Sequence, residues 1–188
     1  MNSLVLRSLN PIFLLLLFIV TLAIHSALFN FSLLRFLQPN ITVAMVIWFA
    51  LRRNFLEGGV LTLIIAEICE IHSATPQGFF LIQLMLVYLI LRLADKYLVI
   101  PQTHGWAVLA AIVATGIQLL NLLSFYWMEI GSSPLLALVV RAPIAVGTTS
   151  LASYWIFKGL HKLDWVTFKS AQARAAADEE LLIDSEGF

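Results

Sequence analysis

Six apolar stretches joined by short links leave this chain few ways to fold. The stretches cover residues 11–29, 41–51, 58–71, 78–93, 106–127 and 134–157. Apolar residues make up 61% of the 188 and charged residues only 12%, against about a quarter charged in a soluble domain. A domain of this size leaves much of its surface outside any core, so that much apolar surface calls for lipid as solvent. In lipid, backbone polar groups must be satisfied within the segment, which leaves helices for runs of this kind. The expected fold is therefore all-α: a polytopic membrane bundle of about six transmembrane helices. It occupies residues 1–163 as one helical domain, with 164–188 as a cytoplasmic tail, partly disordered.

The first stretch follows Arg7 and has the outline of a signal peptide. It is longer than the usual h-region of about 7–15 residues, and His25 stands where an Ala-x-Ala site ending at Ala27 needs a small residue. A retained first helix is expected. Helices two and three are short for a hydrocarbon core of about 30 Å. Two alternatives remain open at this point: they recruit flanking residues such as Phe36, Leu37, Asn54 and Phe55, or they form a partial hairpin shielded by longer helices.

Positive residues in short loops set orientation. With the N-terminus inside, Arg7, Arg52, Arg53, Arg92, Lys96, Lys158, Lys162, Lys169 and Arg174 fall on the cytoplasmic side. Only Arg35 falls outside, and Arg141 lies within helix six. Both termini are therefore predicted on the cytoplasmic side of the membrane. Phe125, Tyr126 and Trp127 stand where an outer aromatic belt belongs, and Trp155 stands near the inner one. In the tail, Trp165 and Phe168 are placed to share one face of an interfacial helix, ahead of the acidic Asp178, Glu179 and Glu180.

Several function classes have no carrier. Net charge is zero and no basic patch interleaves with aromatics, so nucleic acid is not an expected partner. The single cysteine, Cys69, forms neither an intrachain disulfide nor a metal cage. No HExxH, GxSxG or Walker motif appears, so no enzyme and no cofactor is expected.

Intramembrane polar residues invite a functional reading. Glu67 and Glu70 share a face of helix three. Gln83 lies on helix four, Gln118 and Asn121 share a face of helix five, and Arg141 lies on helix six. By depth Glu70 matches Arg141, and an ion pair between them is expected. The six residues together suggest an outer-half pocket. Such a pocket is either a ligand site or a hydrogen-bonded network that joins helices, and the structural alternative is preferred because no further charge converges there. A metal site from His25, His72 and Glu67 has no motif behind it. Small residues four apart, Ala23 with Ala27 and Thr62 with Ala66, mark expected helix contacts. Pro143 suggests a kink in helix six, and Gly116 a close-packing point.

The order of elements carries a resemblance. Pro39 and Asn40 open a short apolar helix that ends in Arg52 and Arg53. A helix led by Gly58 and Gly59 closes on Glu70, and a small-polar turn leads to Gly78 and a Leu/Tyr-rich helix. Over residues 36–93 this resembles the MreD family of bacterial rod-shape-determining membrane proteins. The family more often has Asp at the place of Glu70, and Gly at Thr62 and Ala66.

The resemblance implies a non-enzymatic component of the cell-elongation machinery. Its implied partners are a single-pass MreC-like protein, the actin-like MreB, the wall synthase RodA and a class B penicillin-binding protein. MreD-like proteins are also similar in fold to the substrate-binding S components of energy-coupling-factor vitamin transporters. That likeness supplies the alternative expectation, with the polar residues lining a vitamin site.

Overall fold

The computed structural model of the chain describes residues 3–29, 37–73, 76–95, 97, 104–127 and 132–167. Among the described residues there are six α-helices and no strand. They are α1 (Ser3–Leu28), α2 (Ile41–Arg52), α3 (Phe55–Ile71), α4 (Phe79–Ala94), α5 (His104–Trp127) and α6 (Ser132–Val166). Arg35, Lys96, most of the link after Trp127 and the tail from Phe168 onward, with its acidic run, lie outside the described residues.

Two bounds differ from expectation by more than three residues. α1 starts at Ser3 and carries Pro11 inside it. A proline at a helix start reads as a first-turn signal, yet it also fits further along when one backbone bond is given up. α6 runs through Pro143 and on to Val166, nine residues past the expected end at Phe157. Gly159 is the one weak helix former between Lys158 and Val166, no proline follows it, and Leu160, Asp164 and Thr167 recur on one buried stripe that carries the helix past it.

The chain divides into two compact units, Leu22–Phe157 and Met1–Thr21 with Lys158–Phe188. In the larger unit α2, α3 and α4 pack on one another, and α5 rests on α2 and α4. Asn40 caps α2 by accepting from the Val43 amide at 3.4 Å. α2 ends where Arg53 turns extended, and only Arg53 and Asn54 separate it from α3. The two helices therefore fold back on each other, with Thr42 Oγ1 3.6 Å from Cys69 Sγ at their far ends.

α2 is the centre of this unit. Eight consecutive residues, Val43 to Ala50, are buried on every side of it. At 12 residues it is about 18 Å long, too short for a bilayer of about 30 Å. Protein encloses it, which is the condition under which a short helix is stable in an apolar medium. Of the flanking residues, α3 takes in Phe55, and α2 takes in neither Leu37 nor Asn54.

From α2 to α6, successive helices alternate in direction. Glu70 meets the start of α4, Gln83 meets Asn121, and Ser150 Oγ donates to the Ala107 carbonyl at 2.8 Å. α6 runs parallel to α2: Asn40 meets Thr149 at the head and Trp48 meets Phe157 further along, both pairs 109 positions apart.

In the larger unit Ile24 on α1, Val60 on α3, Ile82 and Ile90 on α4, and Val108, Ile112, Leu119 and Leu123 on α5 are exposed, and in the smaller unit so are Ile12, Leu16 and Val20 on α1. Two segments, Leu9–Leu28 and Gly105–Trp127, are long and apolar enough to cross a membrane. Only 17% and 28% of their apolar windows are buried, unlike the core helix of a water-soluble protein.

The smaller unit holds a buried polar cluster. Asn10 Nδ2 donates to Asp164 Oδ1 at 3.0 Å and to Thr167 Oγ1 at 2.6 Å, and all three residues are buried.

Candidate functional site

Polar side chains in the larger unit gather at three places. The first is the α3–α4 junction. Gly78 takes a positive φ of 85°, a conformation costly for any residue with a Cβ, and stands as the N-cap of α4 without a side chain to cap it. Glu70, at the end of α3, supplies the missing acceptor. Its Oε2 accepts from the Gly78 amide and its Oε1 from the Leu81 amide, both at 3.0 Å. These are the N-cap and N3 donors that a capping box satisfies from within one helix. The negative carboxylate also faces the positive end of the α4 dipole.

The expected Glu70–Arg141 ion pair is therefore corrected. Arg141 Nη2 donates to Gln38 Oε1 at 2.9 Å instead. Gln38 Nε2 lies 3.5 Å from His25 Nδ1, and His25 Nε2 lies 3.0 Å from the Pro39 carbonyl. Next to it the Asn40 amide donates to Thr149 Oγ1 at 2.8 Å. This relay ties the end of α1 and the 38–40 segment to α6. Gln38 falls in an expected loop, and its place one residue before Pro39-Asn40 is the signal the sequence offers for it.

The third place is between α4 and α5. Gln83 is buried, and its Nε2 donates to Asn121 Oδ1 at 2.8 Å. The same amide stands 3.5 Å from the Ile117 carbonyl. Gln118 Oε1 is buried with no hydrogen-bond partner among the described residues, whereas Glu67 is exposed. The six expected network residues thus separate into the Gln83–Asn121 pair, Glu70 on backbone, Arg141 on Gln38, and Gln118 and Glu67 apart. His72 Nδ1 sits 2.8 Å from the Ile68 carbonyl, and among the described residues no group of three candidate metal ligands forms.

The small residues divide cleanly. Thr62 and Ala66 are fully buried in the α3 face, with Thr62 Oγ1 donating to the Gly58 carbonyl at 2.8 Å. A Cβ on Gly58 would lie 2.6 Å from the Phe49 carbonyl oxygen and 3.0 Å from Tyr88 Oη. One on Gly59 would be 3.6 Å from the nearest Tyr88 ring atom, an ordinary contact. Gly58 is thus the close-approach point of α2, α3 and α4, and Tyr88 Oη seals it by donating to the Phe55 carbonyl at 2.6 Å. A Cβ on Gly116, the expected packing point, meets nothing within 4 Å. Ala23 and Ala27 are exposed.

The basic end of α2 is equally defined. Arg53 is buried and lies 3.8 Å from Glu57, one turn on. Arg92 Nη1 donates to the Ala50 carbonyl at 2.9 Å and lies 3.3 Å from Asp95 Oδ2. Arg52 is exposed and lies over the rings of Trp48 and Trp106.

No family model, curated protein or solved structure matches the chain.

Proposed function

We propose that the chain is a multi-pass protein of the bacterial cytoplasmic membrane with both termini inside. In this reading it is a non-enzymatic, MreD-like component of the cell-elongation machinery. It binds an MreC-like single-pass partner and supports lateral peptidoglycan synthesis by RodA, a class B penicillin-binding protein and MreB. The membrane part is supported by outward-facing apolar stripes on five of the helices. Contiguous exposed apolar surface on that scale is not sustained in water. Alternating helix directions are what successive crossings require. α6, at 35 residues and about 52 Å, outruns a bilayer, and its basic C-terminal third then emerges on the cytoplasmic side.

The observation that carries the family part is the work done by the resemblance residues. Asn40 caps α2, Gly58 permits the α2–α3–α4 contact, and Glu70 with Gly78 starts α4. These positions build the scaffold rather than a catalytic cleft, as a binding component needs. Ala23 and Ala27, four apart and exposed, offer the kind of flat face on which a partner's single helix packs in lipid.

A second reading, a vitamin-binding S component, draws on one observation: Gln118 Oε1 is buried and unsatisfied three positions from Asn121. One experiment separates the two. Tagged protein is extracted from its own membranes in mild detergent, and co-purifying proteins are identified by mass spectrometry. The proposal expects an MreC-type protein with wall synthases, and weaker recovery of it with Ala27→Leu. Recovery of paired ATPases with a coupling membrane subunit would replace it with the transporter reading.

A further inference from the structure

Hydrogen bonds whose direction is forced decide the state of His25 in the larger unit. A guanidinium only donates, so the Gln38 atom that lies 2.9 Å from Arg141 Nη2 is the amide oxygen. The Gln38 Nε2 donor is thereby turned toward His25, 3.5 Å from Nδ1, and Nδ1 must accept. Across the ring the Pro39 carbonyl can only accept, so His25 Nε2, 3.0 Å from it, carries the proton. Both sides of the ring therefore require the neutral Nε2–H tautomer, and neither nitrogen has a place for a further proton.

The surroundings offer an imidazolium no acid to pair with. Phe29 lies against His25, with ring centroids 4.6 Å apart. No carboxylate among the described residues stands within ion-pair distance of His25. At the end of α3, beside the start of α2, Glu70 is held by the Gly78 and Leu81 amides and His72 by the Ile68 carbonyl. From α6 the charged group that faces His25 is Arg141, across the one amide of Gln38.

We propose that His25, Gln38 and Arg141 form a proton-operated latch between the end of α1 and α6. A proton arriving at His25 Nδ1 sets two donors against each other, and the Gln38 amide relieves this by turning over. Its Oε1 then accepts from the imidazolium. Its Nε2 donors now face the guanidinium, donor against donor, and the Arg141 bond breaks. The proton and Arg141 compete for one amide oxygen, so each weakens the hold of the other by the same factor. The latch is closed while His25 is neutral and opens as the pH falls through its titration, within the range of about pH 5 to 8 where histidines change charge. Pro39 and Asn40 come next in the chain, and Asn40 both caps α2 and donates to Thr149 on α6, so opening loosens the seat of α2 on α6. On the membrane reading above this end faces outward and the external medium supplies the proton. The bonds themselves do not depend on that reading.

The full chain with isotope-labelled histidine is titrated in maltoside detergent. Ring-nitrogen NMR signals, assigned by their loss in His25→Gln, give the protonation state of His25. Melting temperatures of the parent and of Arg141→Met are then compared with His25 neutral and with His25 protonated. The expected result is a larger loss from Arg141→Met in the neutral state than in the protonated one. In the His25→Gln and Gln38→Glu backgrounds the loss should be the same at both pH values. The first has no proton to take up, and the second offers a carboxylate that accepts from both sides at once.

Equal losses from Arg141→Met in the two states of the parent would overturn the proposal. So would a His25 ring that stays neutral down to the pH at which the helices unfold. An undiminished pH dependence in His25→Gln would place the sensor elsewhere and overturn it as well.

Discussion

The Glu70 carboxylate caps the first turn of α4 through the Leu81 amide, 3.0 Å away, from the last turn of the preceding helix. One side chain therefore fixes both where α4 begins and how it lies against α3. Glu70→Ala should lower the melting temperature in mild detergent, and Glu70→Gln should lower it less, because an amide oxygen still accepts one of the two bonds. Equal stability of all three chains would show that α4 starts without this cap.

Because Glu70 bonds to the Gly78 and Leu81 amides and Arg141 to Gln38, their substitutions should act independently. The melting-temperature shifts of Glu70→Ala and Arg141→Met should add in the double variant, as they do for sites outside one network. A double variant no less stable than the worse single one would restore the ion pair between them.

Gly58 and Gly59 make a paired test of close packing. Gly58→Val places its Cβ against the Phe49 carbonyl and the Tyr88 hydroxyl, and overpacking of this kind costs about 1–3 kcal/mol. Gly59→Ala meets only ordinary contacts and should be neutral or gain about 0.5–1 kcal/mol from helix propensity. Thermal unfolding followed by circular dichroism ranks the two.

The Gln83–Asn121 hydrogen bond is predicted to join helices rather than to receive a ligand. A double-mutant cycle with Gln83→Leu and Asn121→Leu should give a coupling of about 0.6 kcal/mol, the mean for interhelical bonds in a membrane protein. A zero coupling together with lost binding of a small solute would move the pair into a ligand site.

Legibility from sequence follows the physics of each feature. Long apolar runs and their end signals, such as Asn40 and Arg52-Arg53, place α2 to α5 within a few residues, because burial and capping are local. Residues on one helix face, such as Gln118 and Asn121, can be grouped by spacing, and Gly58 stands out as a helical glycine in an apolar run. Partners across helices are less legible. Matching Glu70 to Arg141 used depth alone, and depth says nothing about rotation around the bundle or about nearby backbone donors. The Arg141–Gln38–His25 relay needed a loop residue whose position no periodicity supplies. Asp164 is the first residue of the expected cytoplasmic tail, yet it lies 5% exposed against the Asn10 amide. Only tertiary placement distinguishes a polar residue on a buried stripe from one in water.

The central claim is that these helices cross a membrane in alternation. Its most direct test fuses a reporter active only in the periplasm, and in parallel one fluorescent only in the cytoplasm, after residues 53, 76, 97 and 130 and at the C-terminus. The account predicts periplasmic signal at 76 and 130, and cytoplasmic signal at 53, 97 and the C-terminus. Cytoplasmic signal at every position, or periplasmic activity at the C-terminus, would contradict it.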